Sequence, residues 1–141
     1  MLVRNRLVIC RLLIAGLVIA MLRAASEAPA AEPQPKAVRL VIDYGDGVEK
    51  HFTAIPFKPG MTALDAMRYA QRHPRGIKFE STGNGATLFV TSIEGVENES
   101  GASDERNWIF SVNDKKGNKS CAVTELKPDD VVRWKFEKYQ F

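Results

Sequence analysis

The residues able to do chemistry are few and scattered. Beyond the first 26 positions Cys121 is the one thiol, and His51 and His73 are the only imidazoles in the chain. A cysteine nucleophile needs a base within hydrogen-bond reach, and a metal centre needs several N, S or O donors grouped together. The sequence groups none. It has no Gly-x-Ser-x-Gly elbow, no His-Glu-x-x-His and no phosphate-binding loop. Strand alternation puts His51 on a solvent face, His73 falls at a helix end, and Cys121 sits beside Ala122 and Val123 as a small buried thiol. Glu94, Glu97, Glu99, Asp104 and Glu105 read as acids of a solvated loop, and Asp129 and Asp130 as turn formers. The stretch from Asp43 to Gly47 has carboxylates at calcium-loop spacing but lacks the downstream ligands and flanking helices. The expectation is a protein that is not an enzyme and has no metal site.

What remains is an aromatic strand over residues 107–113. Side chains alternate along a strand, so Trp108, Phe110 and Val112 share one face, and Ile109 and Ser111 the other. Burying Trp108 and Phe110 is worth about 1.5–3 kcal/mol each, which makes core packing the first role of this stretch. Its ends are the candidate ligand-binding residues: Asn107, Trp108 and Asn113, whose amides and ring edge would face a ligand or partner. The competing role for both asparagines is structural, ordering turns through side-chain to main-chain hydrogen bonds.

The elements that must position this strand follow from periodicity. Val38, Leu40, Ile42 and Tyr44 alternate with Arg39, Val41 and Asp43, and the Asp-Gly turn at Asp46-Gly47 returns the chain into a second strand over residues 48–55. Thr62 is an N-cap with Asp65 three residues on, which predicts a capping box and a helix over residues 63–72. Leu64, Met67 and Ala70 form its buried stripe, and His73-Pro74 ends it. Strands are expected over residues 77–81 and 86–93, joined by Gly83-Asn84-Gly85. A polar loop over residues 98–106 follows, then the aromatic strand, a polar turn through Asn118, a short strand over residues 119–124, a proline turn and a last strand over residues 131–137. The fold class is α+β: a β-grasp-like mixed sheet with one short helix on one face. Strand order is left open by the pattern.

Residues 1–26 combine Arg4 and Arg6, an apolar run from Leu12 to Leu22 and then small residues, the layout of a signal peptide. Cleavage fits after Ser26 or after Ala30. The run is shorter than the roughly 20 residues a spanning helix needs, and a membrane role arises only if this leader is retained as an anchor. Residues 27–36 are an Ala/Pro-rich linker, and residues 37–141 form the domain. Of the chain's 20 basic side chains, Arg4, Arg6, Arg11 and Arg23 lie in the leader, which holds no acid; 16 remain against 17 acidic groups, a balance of −1. That excludes the basic footprint of a nucleic-acid partner. With Cys10 in the leader, Cys121 has no intrachain disulfide partner.

Several segments together resemble a known family. Val41 to Gly47, Thr62-Ala63-Leu64-Asp65-Ala66, residues 83–93, Asn107-Trp108, Val112-Asn113 and Leu126-Lys127-Pro128-x-Asp130-Val131-Val132-x-Trp134 look like the DUF4430 domain, which is similar to the C-terminal domain of transcobalamin and intrinsic factor. Asp129 stands where members of that family often carry Gly. The resemblance implies a β-grasp-like fold, an extracytoplasmic location (periplasmic or secreted) and a non-catalytic binding module. It requires no cofactor. Cobalamin is the candidate it names, held together with a partner domain, since the residues before Ala37 offer no counterpart to the helical domain of transcobalamins. The partner is otherwise an unidentified protein or small molecule. The alternative is a structural envelope or surface component that binds other proteins and no small molecule.

Overall fold

The computed structural model describes residues 35–99 and 104–139. The leader, most of the linker and part of the 98–106 loop lie outside the described residues. Apolar alternation builds β1 (Ala37–Asp43), where Val38, Leu40 and Ile42 are fully buried. Asp43 and Asp46 cap the following turn by accepting from the Gly45 and Val48 N–H groups, and β2 (Glu49–Pro56) returns antiparallel to β1.

The expected helix is α1 (Ala63–Arg72). Thr62 Oγ1 accepts from the Asp65 N–H at 3.3 Å and Asp65 Oδ2 accepts from the Thr62 N–H at 2.9 Å, so the capping box is complete. Ala63, Leu64, Ala66, Met67 and Ala70 are its buried face, lying against β1 and β2. The chain then forms β3 (Phe79–Thr82), a 3-10 turn (Gly85–Thr87), β4 (Phe89–Ile93) and β5 (Val96–Glu97). The aromatic strand is β6 (Arg106–Val112). It turns through Asn113 and Asp114, both with positive φ (50° and 63°), into the two-residue β7 (Lys115–Lys116). Positive φ at both central residues is the type I′ hairpin geometry, which matches strand twist. β8 (Val131–Lys138) closes the fold.

Two sheets result. The larger has the order β2-β1-β8-β6-β7, with β1 and β8 parallel at its centre and antiparallel pairs outside them; the smaller is β3-β4-β5. This is the expected α+β arrangement, a mixed sheet with one helix on one face. Trp108, Phe110, Trp134 and Phe136 all turn into the core, stacked as cross-strand neighbours of β6 and β8, with ring centroids 5.3 Å apart for Trp108–Phe136 and 5.2 Å for Phe110–Trp134.

Two sequence expectations change. Residues 86–93 are not one strand: residues 85–87 form the 3-10 turn, because Thr87 Oγ1 bonds the Asn84 main chain and draws the backbone round. Residues 119–124 form turns instead of a strand. Ser120 directs them: its Oγ accepts from Ala122 N–H and donates to Leu88 O, and its carbonyl accepts from Val123 N–H and Thr124 Oγ1. The reward lies at the helix. Cys121 O and Thr124 O accept from the Leu64 and Ala63 N–H groups, donors that a first helical turn otherwise leaves unpaired. Among the described residues no helix is long and apolar enough to cross a membrane.

Candidate functional site

The residues with chemical potential do not assemble. His51 is exposed on β2, its Nε2 2.7 Å from Glu49 Oε2. His73 caps the helix C-terminus, and its Nδ1 accepts from Arg75 N–H. Cys121 is 2 % exposed, and burial pushes its thiol up from 9.0 to about 11. Among the described residues no group of three or more His, Cys, Asp or Glu side chains comes close enough to hold a metal ion.

On the outer face of the larger sheet, charges are satisfied locally. Arg133 Nη1 donates to Glu49 Oε1 at 2.6 Å and lies 3.4 Å from Asp43 Oδ2. That hydrogen bond holds the Glu49 carboxyl below its ordinary value and raises Arg133.

The concave feature is elsewhere, beside β6. A groove of about 740 Å3 is lined by four consecutive residues of that strand, Asn107, Trp108, Ile109 and Phe110; by residues 86–90; and by residues 117–121. Lining by consecutive strand residues means the groove runs along the edge of β6, since either face alone would show only alternate ones. The reason is the length of β7, which pairs only with Ser111 and Val112. From Arg106 to Phe110 the edge turned away from β8 has no neighbouring strand.

Ring surfaces line this groove, and the rim is apolar too: Phe89 is 54 % exposed and Tyr139 47 %. Lys119 contributes the one cationic side chain of the lining, which includes no carboxylate. Trp134 lines the groove while 3 % exposed, and its Nε1 is buried with no hydrogen-bond acceptor. Buried polar groups are nearly always satisfied, which sets this indole apart. Trp108 differs: its Nε1 donates to Val96 O at 2.7 Å. Gly117 is part of the wall because a methyl group there would overlap the Phe110 ring.

Of the three candidate residues, Asn107 and Trp108 meet at the groove, Asn107 half-buried and Trp108 almost wholly in the core. Asn113 lies at the far end of β6. Its Oδ1 accepts from Val131 N–H at 2.9 Å and its Nδ2 donates to Asp130 Oδ1 at 2.8 Å, so it fastens the β6–β7 turn to the start of β8. Sequence reasoning passed over Trp134, Phe89, Lys119 and Ser120. Phe89 carried the one usable signal, a large aromatic on the face of its strand opposite Val90.

A family model described as a domain of unknown function, DUF4430, matches residues 60–138. The chain belongs to the DUF4430 family. The match runs from the residues before α1 to the end of β8, and so takes in every wall of the groove except Tyr139. No curated protein sequence matches this DUF4430 chain. Among solved structures it is similar to a crystal structure of a protein from Ruminococcus gnavus provisionally described as metal-binding. The identity is 14 % and the TM-score 0.56, covering 74 % of this chain and 99 % of that one. At that identity the likeness concerns the fold.

Proposed function

We propose that this DUF4430 domain is a non-catalytic extracytoplasmic binding module and that the groove beside β6 receives its ligand, a protein segment or a small molecule. The observation that carries the reading is an apolar groove of about 740 Å3 lined by Trp134, whose buried Nε1 has no hydrogen-bond acceptor; the volume is in the range of ligand-binding clefts. A buried donor without an acceptor costs about 1–3 kcal/mol, and a ligand acceptor would recover it. The non-catalytic part of the reading rests on the separation of Cys121, His51 and His73 into different surroundings, each with its own packing or hydrogen-bond role. The extracytoplasmic part rests on the signal-peptide layout of residues 1–26.

A corrinoid held jointly with a partner helical domain is the small-molecule version of this proposal. What supports it is the resemblance of DUF4430 domains to the transcobalamin C-terminal domain, together with the aromatic groove. Titrations of the protein with 1-anilinonaphthalene-8-sulfonate and with cobalamin, followed by probe emission and Trp fluorescence, test the reading. Saturable one-site binding of either probe, weakened at least tenfold by Phe89→Asp, is the expected result. Absence of saturable binding of both at high micromolar concentration would remove the groove as a small-molecule site.

A further inference from the structure

The walls of the groove are both strand edges. In an antiparallel ladder each residue sends its N–H and C=O to the same side, alternating along the strand. On β6, Trp108 N–H donates to Asn98 Oδ1 at 2.8 Å and Phe110 O accepts from Gly117 N–H at 2.9 Å. Residues 108 and 110 therefore turn their main-chain groups away from β8 and towards the groove. On the opposite wall, Val90 O accepts from Asn98 Nδ2 at 2.9 Å and Leu88 O from Ser120 Oγ at 2.9 Å. Since β5 pairs only with Ser92 and Ile93, Phe89 and Val90 have β3 on one side and no strand on the other. Side chains at the two ends, Asn98 and Ser120, take bonds that a neighbouring strand would otherwise make. Between them lies an open edge.

We infer that the groove is a strand-addition site: it receives an extended peptide segment of a partner protein, which lies along Trp108–Phe110 of β6 with its apolar side chains on the aromatic walls and an acidic group beside Lys119. This names the partner class for the binding reading above and rests on it. Charge selects the occupant. Lys119 makes no ion pair with the described residues, and no carboxylate lines the groove. Strand addition draws affinity from main-chain hydrogen bonds and specificity from alternate side chains. The peptide's contribution to binding should therefore repeat with period two.

The test uses the full chain and a displayed library of random linear decapeptides, with Lys119→Glu and Phe89→Asp proteins as counter-selections. Enriched peptides should carry alternating apolar residues with an acid and lose at least tenfold affinity on the Lys119→Glu protein. N-methylation walked along the strongest binder should abolish binding at the residue whose N–H meets Trp108 O and spare its two neighbours. Hydrogen exchange at the Phe110 amide should slow at least tenfold in the complex. If peptides bind without that alternation and without protecting Phe110, strand addition is overturned while the groove remains a binding site. If no peptide enriches but 1-anilinonaphthalene-8-sulfonate or cobalamin saturates the groove, the partner class is wrong and the binding reading stands. If neither class binds, both fall.

Discussion

Asn98 holds Trp108 to Val90. Its Oδ1 accepts the Trp108 N–H at 2.8 Å while its Nδ2 donates to Val90 O at 2.9 Å, so one side chain joins β6 of the larger sheet to β4 of the smaller. Its own N–H adds a bond to Thr91 O. No ladder links the two sheets, and this amide stands in for one where the groove ends.

Replacing it should show both roles. Asn98→Ala leaves the Trp108 donor and the Val90 acceptor without their partner, and each orphaned group in a part-buried place costs about 1–3 kcal/mol. The expected loss is about 2–3 kcal/mol in urea unfolding, with an unchanged m-value. Asn98→Asp keeps the acceptor for Trp108 but sets a carboxylate oxygen against Val90 O, so it should be destabilising as well. Wild-type stability of Asn98→Ala would mean that neither bond contributes.

The two tryptophans offer a matched pair. Trp108 and Trp134 are each 3 % exposed and each packs on a phenylalanine across the β6–β8 ladder. Substitution by Phe removes similar volume from both. Trp108→Phe also removes the bond to Val96 O, whereas Trp134→Phe removes a donor that has no partner. Trp108→Phe should therefore be the more destabilising by about 1–3 kcal/mol, read from chemical unfolding. The binding assay should reverse the order, with Trp134→Phe weakening ligands that present an acceptor. A Trp134→Phe protein as destabilised as Trp108→Phe would show that the indole N–H is satisfied in solution.

A third prediction concerns Asp129. It sits at φ 69°, exposed, in the turn before β8. Side chains with a Cβ are disfavoured there, Asp less than most, and Gly is the residue that accepts this geometry without strain. Asp129→Gly should be neutral or stabilising by up to about 1 kcal/mol, and Asp129→Ala destabilising by about 1 kcal/mol. Thermal melts of the two variants beside the wild type decide it; a stabilised Asp129→Ala protein would mean that the turn relaxes out of the left-handed region. This backbone angle also gives a physical sense to the glycine common at this position in the resembling sequences.

That turn illustrates how far the sequence could be read. Local signals were legible because each has a local cause: the Thr62–Asp65 box, the alternation in β1, β6 and β8, and the stop at His73-Pro74. Residues 119–124 defeat a local reading because their conformation serves a distant need, the unpaired amides of α1, and only the fold brings Cys121 O and Thr124 O to them. The groove was half legible. Asn107 and Trp108 were picked for their types and do line it, but a free edge is a property of strand order, which periodicity leaves open. Asn113 shares the residue type of Asn107, but its amide is spent on Asp130 and Val131.

The last prediction is the pH dependence, which has two limbs. Hydrogen bonding by Arg133 lowers the Glu49 carboxyl, and hydrogen bonding by Arg106 lowers that of Glu99. A carboxylate whose folded value lies below its unfolded one stabilises the fold above the unfolded value, near 4.5, and loses that contribution as pH falls through the folded value. Stability should therefore decline on acidification below about pH 4.5, and less steeply in Arg133→Met. At alkaline pH the sign reverses. Cys121 is raised from 9.0 to about 11 by burial, so between those values the unfolded thiol has ionised and the folded one has not. The native state then binds more protons than the unfolded one, and stability falls as pH rises through this window. Cys121→Ser should flatten the alkaline limb. With its pKa at about 11 the folded thiol keeps roughly a hundredth of the ordinary thiolate fraction at pH 8, and the thiolate is the reacting species. Labelling of native Cys121 by a disulfide reagent at pH 8 should accordingly be at least a hundredfold slower than in urea. Rapid native labelling would place the thiol at the surface and reopen it as a reactive group.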